Sequence, residues 1–143
     1  MQNGNGDCVF CKIVSGEIAA EVLFESRHVL SILDINPIHF GHALVIPKIH
    51  YRDFLELDPE CYESLLTGTR IVTAALVRGL SLEGFNIFSN NGRIAGQSVF
   101  HFHVHVTPRY HNDDIRFVLQ LKKYQDGEMK RYADLIRNHI ELS

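Results

Sequence analysis

One stretch of the chain alternates apolar and histidine side chains: Phe100-His101-Phe102-His103-Val104-His105-Val106-Thr107-Pro108. Successive side chains of a β-strand point to opposite faces, so we expect His101, His103 and His105 on one face and their apolar neighbours on the other. Solvent-facing strand positions usually carry Thr, Lys, Glu or Ser, and three imidazoles in a row are rare there. The pattern therefore predicts a strand with one face in the core and chemistry on the other.

Size and charge limit what the protein can be. The chain has 143 residues, which fits one domain able to bury about two thirds of its unfolded surface. Its formal net charge of -3 predicts no general attraction to nucleic acid or to an anionic membrane. No apolar run approaches the length of a membrane span, and the start lacks the features of a signal peptide. We expect a cytoplasmic protein with one domain over residues 1–143, of which 1–7 form a flexible tail.

Five short segments have the composition of strands. The runs 21–25 and 29–33 predict an antiparallel hairpin that turns at Ser26-Arg27-His28. The run 43–47 is apolar throughout, which predicts a central strand covered on both faces. The run 85–89 and the histidine stretch complete the set.

Two segments have helical patterns. Asp58-Pro59 suits a helix start, and Gly79 is placed to end the helix that follows. A C-terminal helix is expected to begin near Asp126, whereas residues 115–124 fit either a strand or irregular structure. The chain therefore predicts an α+β fold with a mainly antiparallel five-stranded sheet, one long central helix and a C-terminal helix.

The histidine stretch has the chemistry of a phosphate site. Imidazole is near neutral at pH 7, so a histidine held by a strand can attack phosphorus as a nucleophile. His103 is the central one, and donors on either side can hold its adduct, because phosphoryl transfer depends on positioning and on stabilising the phosphate oxygens. Just upstream, Gly96-Gln97-Ser98 adds backbone amides, a side-chain amide and a hydroxyl. Together these groups predict an anion site.

The cysteines suggest a second site. The chain has three cysteines, and Cys8 and Cys11 form a Cys-x-x-Cys pair, which suits a metal or redox motif better than a disulfide framework. Two thiolates with two imidazoles would complete a closed tetrahedral zinc site. Two buried cysteines or a dithiol pair are the alternatives. Cys61 is expected to be a buried apolar residue in the long helix.

Several separate blocks, in order along most of the chain, resemble the histidine triad (HIT) family. The alternation of histidine with apolar residues at 101–106 is similar to the signature of that family, and the other blocks lie at 8–13, 33–37, 41–48, 90–92 and 96–98. The Cys pair makes the chain similar to bacterial-type members. The resemblance implies a half-barrel-like antiparallel sheet and a homodimer.

The resemblance also implies a function. Members of this family are nucleotide-binding hydrolases or nucleotidyl transferases that cleave at the α-phosphate of purine nucleotide derivatives through a covalent nucleotidyl-histidine. Nucleoside phosphoramidates and dinucleoside polyphosphates are both possible substrates. By this resemblance His103 would be the nucleophile, and His105 would donate to a phosphate oxygen.

The resemblance assigns roles to other residues as well. Asn90, Gln97 and Ser98 would orient the phosphate and the leaving group, with the backbone of Gly96 beside them. Asp34 would accept the ribose hydroxyls, Ile35 would flank the base, and His42 would reach the phosphate side. For Asp34 and Asn90 the alternative is a simple role in a turn. The resemblance further implies that His50 and His101 join Cys8 and Cys11 in a structural zinc site that pins the N-terminal turn to the sheet.

Other interpretations remain open from the sequence. One is a nucleotide-binding sensor or interaction module in which turnover is incidental. A weaker one is a metalloenzyme that uses all three histidines of the triplet as ligands. The remaining histidines have no companion motif and suit surface or capping roles: His28, His39, His111 and His139. Arg109 could point toward phosphates or lie exposed as a surface charge.

Overall fold

Five strands and three α-helices form the framework of the part of the chain that the structure describes. The computed structural model describes residues 5–142, so residues 1–4 of the expected tail lie outside the described residues, whereas Asn5–Asp7 form a short 3-10 turn. The strands are β1 (Val22–Glu25), β2 (Val29–Leu33), β3 (Ala43–Pro47), β4 (Gly84–Phe88) and β5 (Val104–Arg109). The helices are α1 (Val9–Val14), α2 (Pro59–Leu80) and α3 (Glu128–Arg137). The strands form one antiparallel sheet in the order β1-β2-β3-β5-β4, which confirms the predicted fold class.

Local sequence explains the hairpin and the central strand. The Ser26 hydroxyl accepts hydrogen bonds from the backbone N–H groups of His28 and Val29, at 3.4 and 3.3 Å, and this closes the β1–β2 turn. Every residue of β3 is buried, as its apolar composition predicts. The central position of β3 in the sheet follows from that burial.

The long helix ends differently from the prediction. It begins at Pro59, after Asp58, as expected, but it continues through Gly79 to Leu80. Ser81 then takes the left-handed conformation that ends it, with φ of 53°. The prediction that Gly79 ends the helix is therefore wrong, because this exposed glycine is accommodated inside the last turn.

The core has two parts, one on each face of the sheet. On one face α2 contributes Leu65 and Val72 to a cluster that includes Phe102 and Val106. On the other face Phe10 of α1 packs with a second cluster from β2 and β3: Leu30, Ile32, Leu44 and Ile46. The histidine side of β5 therefore lies on the face that α1 covers.

β5 begins at Val104, later than the alternating pattern predicts. The β3–β5 ladder stops at the Val45–Val104 pair. Two residues further along β3 stands Pro47, which has no backbone N–H to continue a ladder. Residues 101–103 instead run beside the segment after β3, where the N–H of Phe102 donates to the carbonyl of Tyr51 at 2.6 Å.

The C-terminal part extends from the end of β5. Residues 115–124 have no regular structure, and α3 begins at Glu128, two residues after the predicted start. Several apolar side chains in this part are exposed, among them Val118, Leu121 and Ile136. Of the helices in the described residues, none has the length and apolarity needed to cross a membrane.

Candidate functional site

The histidines of the triplet lie together on the α1 face. The ring centroids of His103 and His105 are 4.7 Å apart, and the ring of Phe10 makes edge contacts with His101 and His103 at 5.8 and 5.0 Å. Phe102 and Val106 belong to the core on the opposite face. The predicted alternation is therefore confirmed from residue 101 to residue 106, whereas Phe100 is partly exposed under the guanidinium of Arg93.

His103 is held in one tautomer. Its Nδ1 lies 2.7 Å from the backbone carbonyl oxygen of His101, and since a carbonyl only accepts, Nδ1 carries the hydrogen. In the neutral ring the lone pair is then on Nε2. Burial lowers the pKa of His103, although the His101 carbonyl and the Asp34 carboxylate act in the opposite direction. The ring is therefore neutral at pH 7 with its lone pair on Nε2, and its role as the nucleophile stays a prediction.

His105 is oriented by a second chain of hydrogen bonds. The backbone N–H of Ile38 donates to Nδ1 of His42 at 3.1 Å, so the hydrogen of the His42 ring is on Nε2. That Nε2–H donates to Nδ1 of His105 at 2.9 Å, which leaves the hydrogen of His105 on its own Nε2. The Nε2–H of His105 is therefore available to donate a hydrogen bond.

The surroundings of His105 keep its ring uncharged. Burial, together with the neighbouring imidazoles of His103 and His42, lowers the pKa of His105 to about 4, although the Asp34 carboxylate acts in the opposite direction. Burial also lowers the pKa of His42. The ring of Phe88 stacks on His105 with a centroid distance of 4.6 Å and an interplanar angle of 11°. Phe88 lies opposite His105 in the β4–β5 register, so the stacking follows from the strand pairing.

Asp34 lies beside these rings at the end of β2. Its Oδ1 accepts the backbone N–H of Asn36 at 2.8 Å, which forms the turn expected from the sequence. Its Oδ2 lies 3.7 Å from Nδ1 of His42 and makes no hydrogen bond with a residue that the structure describes. The side chain of Ile35 is 91% exposed next to this carboxylate.

The loop before the triplet is organised by Gln97. Its side chain is buried, with Oε1 accepting the N–H of Gly92 at 2.8 Å and Nε2 donating to the carbonyls of Arg52 and Val99 at 2.7 and 3.2 Å. The amide is therefore engaged with three backbone groups, and its contact with a phosphate stays a prediction.

Gly96 and Ser98, the two neighbours of Gln97 in sequence, are exposed, whereas Gln97 is buried. Gly96 has a φ of +91°, a left-handed conformation that favours glycine, and the amide nitrogen of Asn90 lies close to it. Ser98 is exposed, so its hydroxyl is accessible from solvent. The contacts of Asn90 and Ser98 with the phosphate and the leaving group stay predictions.

Four candidate metal ligands lie close together at the N-terminus of α1: Cys8, Cys11, His50 and His101. All four potential ligand atoms lie within 4.8 Å of one another. Nδ1 of His101 is 3.4 and 3.5 Å from the sulfurs of Cys8 and Cys11, and Nδ1 of His50 is 3.4 Å from the sulfur of Cys11. Bond lengths to zinc of about 2.3 Å for sulfur and about 2.0 Å for nitrogen give S···N edges of about 3.5 Å in a tetrahedron. The four residues therefore fit a closed metal site.

Two further features of this cluster bear on metal binding. Nε2 of His101 donates to the carbonyl of Pro47 at 2.8 Å, which leaves the lone pair of Nδ1 directed at the two thiols. Burial and the neighbouring Cys8 raise the pKa of the Cys11 thiol to about 11. A metal ion would therefore have to displace the proton from Cys11 on binding.

Sequence reasoning missed some contacts around the site. It did not single out Phe10 or Phe88, which touch the imidazole rings; the period-two pattern of residues 85–89 could have indicated Phe88. Arg109 takes neither predicted role, because its guanidinium binds Asp113 at 2.6 Å and Asn86 at 3.0 Å. The described residues form two clusters of candidate metal ligands, one of Cys8, Cys11, His50 and His101 and the other of Asp34, His42 and His105. The remaining histidines lie outside both: His28, His39, His111 and His139.

The sequence is similar to several curated proteins. It is 47% identical to the uncharacterized HIT-like protein MJ0866 of Methanocaldococcus jannaschii over 106 residues, which is 74% of this chain and 81% of that protein. It is 36% identical to adenylylsulfatase HINT3 of Arabidopsis thaliana over 137 residues, which is 94% of this chain and 70% of that protein.

Solved structures and a family model extend the comparison. A histidine triad nucleotide-binding protein from Candida albicans aligns with a TM-score of 0.84 and 29% identity, over 92% of this chain and 96% of that chain. A Zn-bound histidine triad family protein from Mycobacterium smegmatis aligns with a TM-score of 0.71 and 40% identity, over 94% of both chains. The HIT domain model matches residues 15–112. The chain therefore belongs to the HIT domain family.

Proposed function

We propose that the protein is a nucleotide hydrolase or nucleotidyl transferase that cleaves at the α-phosphate of purine nucleotide derivatives through a covalent nucleotide adduct on His103. The observation that carries the proposal is the 2.7 Å contact between Nδ1 of His103 and the His101 carbonyl, because it leaves Nε2 free to attack. The substrates are nucleoside phosphoramidates or dinucleoside polyphosphates. Similarity to an adenylylsulfatase and to a nucleotide-binding protein supports this class of substrate.

The reaction has two steps. In the first, Nε2 of His103 forms a bond to the α-phosphorus, the bond from phosphorus to the leaving group breaks, and the leaving group takes up a proton. In the second, water attacks the same phosphorus, the bond to Nε2 breaks, and one proton passes to solvent as the nucleoside monophosphate leaves. The Nε2–H of His105 stabilises the charge on a phosphate oxygen in both steps.

The surrounding residues bind and orient the nucleotide. Oδ2 of Asp34 accepts the ribose hydroxyls, and the exposed side chain of Ile35 flanks the base. His42 acts on the phosphate side by holding the tautomer of His105. Asn90 and Ser98 orient the phosphate and the leaving group, and Gln97 supports them by holding the loop that includes Gly96.

The test is the His103→Ala variant, assayed with an adenosine phosphoramidate and with a dinucleoside polyphosphate. We expect release of nucleoside monophosphate to fall by at least about 10⁴-fold while nucleotide binding, measured by calorimetry, stays within a few-fold of the unchanged protein. Mass spectrometry of the rapidly quenched unchanged protein should detect one nucleotidyl group on His103. Equal turnover by the variant would refute the proposal, and binding without turnover in the unchanged protein would favour a nucleotide sensor.

A structural zinc ion held by Cys8, Cys11, His50 and His101 is part of the proposed function. Two thiolates and two imidazoles are ligands that zinc prefers, and the S···N separations near 3.5 Å suit its tetrahedral geometry. With zinc bound, these four residues would hold α1 against the segment that carries His103. Similarity to the Zn-bound mycobacterial structure supports the choice of metal.

Elemental analysis of the purified protein tests the zinc proposal. We expect about one zinc per chain, and less than about a tenth of that in the Cys11→Ser variant. Cys61→Ser is the matched control, since Cys61 is buried in the α2 core, and it should retain the zinc. A zinc-free protein whose thermal stability does not change when zinc is added would overturn this part.

Pairing with a second copy of the chain is also part of the proposal. β4 is at the edge of the sheet, so one side of its backbone has no strand partner within the described chain. Between α2 and β4 lies an apolar groove with a cavity volume of about 420 Å³, lined by Leu66, Ile87 and Phe102 among others. An edge strand beside an apolar groove is a surface that two copies can share about a two-fold axis.

Light scattering during size-exclusion chromatography tests this pairing. We expect the mass of a dimer for the unchanged protein and of a monomer for Leu66→Glu. Dimer formation would bury the introduced charge between the two copies, which costs free energy. Leu55→Glu is the control, since Leu55 is exposed in the Phe54–Glu56 turn and does not line the groove. A monomeric unchanged protein, or a dimeric Leu66→Glu variant, would contradict the proposal.

A further inference from the structure

Phe10 connects the metal-ligand cluster with the nucleophile. It lies in α1 between Cys8 and Cys11, and its side chain is only 7% exposed. Its ring meets His103 nearly at right angles, with a centroid distance of 5.0 Å and an interplanar angle of 74°. The same ring contacts His101 at 5.8 Å. An edge-to-face contact of this kind favours one orientation of each ring.

His101 provides a second connection. Its side-chain Nδ1 faces the thiols of Cys8 and Cys11, and its backbone carbonyl accepts the Nδ1–H of His103 at 2.7 Å. One residue therefore belongs to the cluster through its side chain and orients the nucleophile through its backbone. The ring of His103 is thus held by two contacts, one from Phe10 and one from His101, and both come from parts of the chain that the cluster anchors.

We propose that Phe10 is a positioning residue for His103, and that anchoring of α1 by the Cys8–Cys11–His50–His101 cluster keeps the nucleophilic ring aimed at the substrate phosphorus. The inference rests on the proposed function, since it assigns the positioning of the same nucleophile. Its physical basis is that a displacement of about 1 Å in a reacting group can cost about a hundredfold in rate. The proposed function assigns substrate binding to Asp34 and Ile35, so kcat should change more than KM.

The Phe10→Leu variant tests the role of Phe10. Leucine keeps an apolar side chain in the cluster but has no ring to meet His103. We expect kcat to fall about tenfold and KM to stay within twofold, with the metal content unchanged by elemental analysis. Leu30→Val is the matched control, since it removes one methylene from the same core cluster on β2, and its kcat should stay within twofold. Full kcat in Phe10→Leu, or an equal loss in Leu30→Val, would overturn the inference.

A second measurement does not depend on turnover. Long-range ¹H–¹⁵N correlation spectra report which nitrogen of His103 carries the hydrogen. We expect the Nδ1–H tautomer alone in the metal-loaded protein, and a mixture of tautomers in Phe10→Leu and in unchanged protein stripped by a chelator. A single tautomer in all three samples would overturn the inference. If the unchanged protein hydrolyses no nucleotide substrate, the proposed function fails, and these spectra still decide whether α1 orients the ring.

Discussion

Nε2 of His42 lies 2.9 Å from Nδ1 of His105, and the opposite nitrogen of His42 accepts the backbone N–H of Ile38 at 3.1 Å. Because a backbone N–H can only donate, the direction of both hydrogen bonds is fixed. The loop after β2 therefore determines which nitrogen of His105 carries a hydrogen. His42, which is 63 residues from His105 in sequence, thus determines the tautomer of the third histidine in the triplet.

Replacing His42 with phenylalanine should lower kcat by about tenfold to a hundredfold, because the ring of His105 would lose the partner that fixes its tautomer. KM should change less than kcat, since in the proposed mechanism His42 acts through His105 on the charge of the transition state. Steady-state assays with an adenosine phosphoramidate measure both constants. His111→Phe is the control, since His111 is exposed and pairs with Glu83 on the surface. An unchanged kcat in His42→Phe would exclude this role.

The stability of the protein should fall as the pH drops from about 6.5 toward 4. Burial lowers the pKa of His105 to about 4 in the folded protein, whereas an unfolded histidine titrates near 6.5. Below pH 6.5 the unfolded chain takes up a proton that folded His105 does not, so stability decreases until the pH falls below the folded pKa. Thermal melts at several pH values should show a smaller pH dependence for His105→Asn than for the unchanged protein or His111→Asn. Equal slopes would contradict this assignment.

Hydrophobic periodicity predicted the strands and the long helix, because it is a local signal in the sequence. The Cys8-x-x-Cys11 pair indicated a metal or redox motif, and the resemblance to the HIT family added His50 and His101 to it. Sequence reasoning failed where the outcome depends on a distant partner. β5 begins late because the facing strand contains Pro47, and no pattern within residues 100–103 indicates that. Likewise the hydrogen-bond network of Gln97 involves Arg52, which is 45 residues away.

Arg109 should control how firmly the C-terminal segment is attached. Its guanidinium binds both carboxylate oxygens of Asp113 and the carbonyl of Ile115, and it lies over the ring of Phe117. In Arg109→Lys a single ammonium group replaces the planar guanidinium, and it cannot make all of these contacts at once. Chymotrypsin should therefore cleave after Phe117 several-fold faster than in the unchanged protein. Arg116→Lys is the matched control because Arg116 is exposed, and equal cleavage of both variants would refute the role.

Gly41 should tolerate alanine poorly, mainly because its left-handed backbone favours glycine and also because its neighbours would have to move. Its φ is +89°, and a Cβ there would lie 2.7 Å from Cδ1 of Leu80 and 3.2 Å from Cγ of Pro108. Gly41→Ala should therefore lower the free energy of unfolding by roughly 2–3 kcal/mol, measured by urea denaturation, and it should also reduce kcat because His42 is the next residue. Gly79→Ala is the matched control: its Cβ would meet open space within α2, so alanine should raise the free energy of unfolding by about 0.5–1 kcal/mol. Equal stabilities of the two variants would show that the conformation of Gly41 is not constrained in this way.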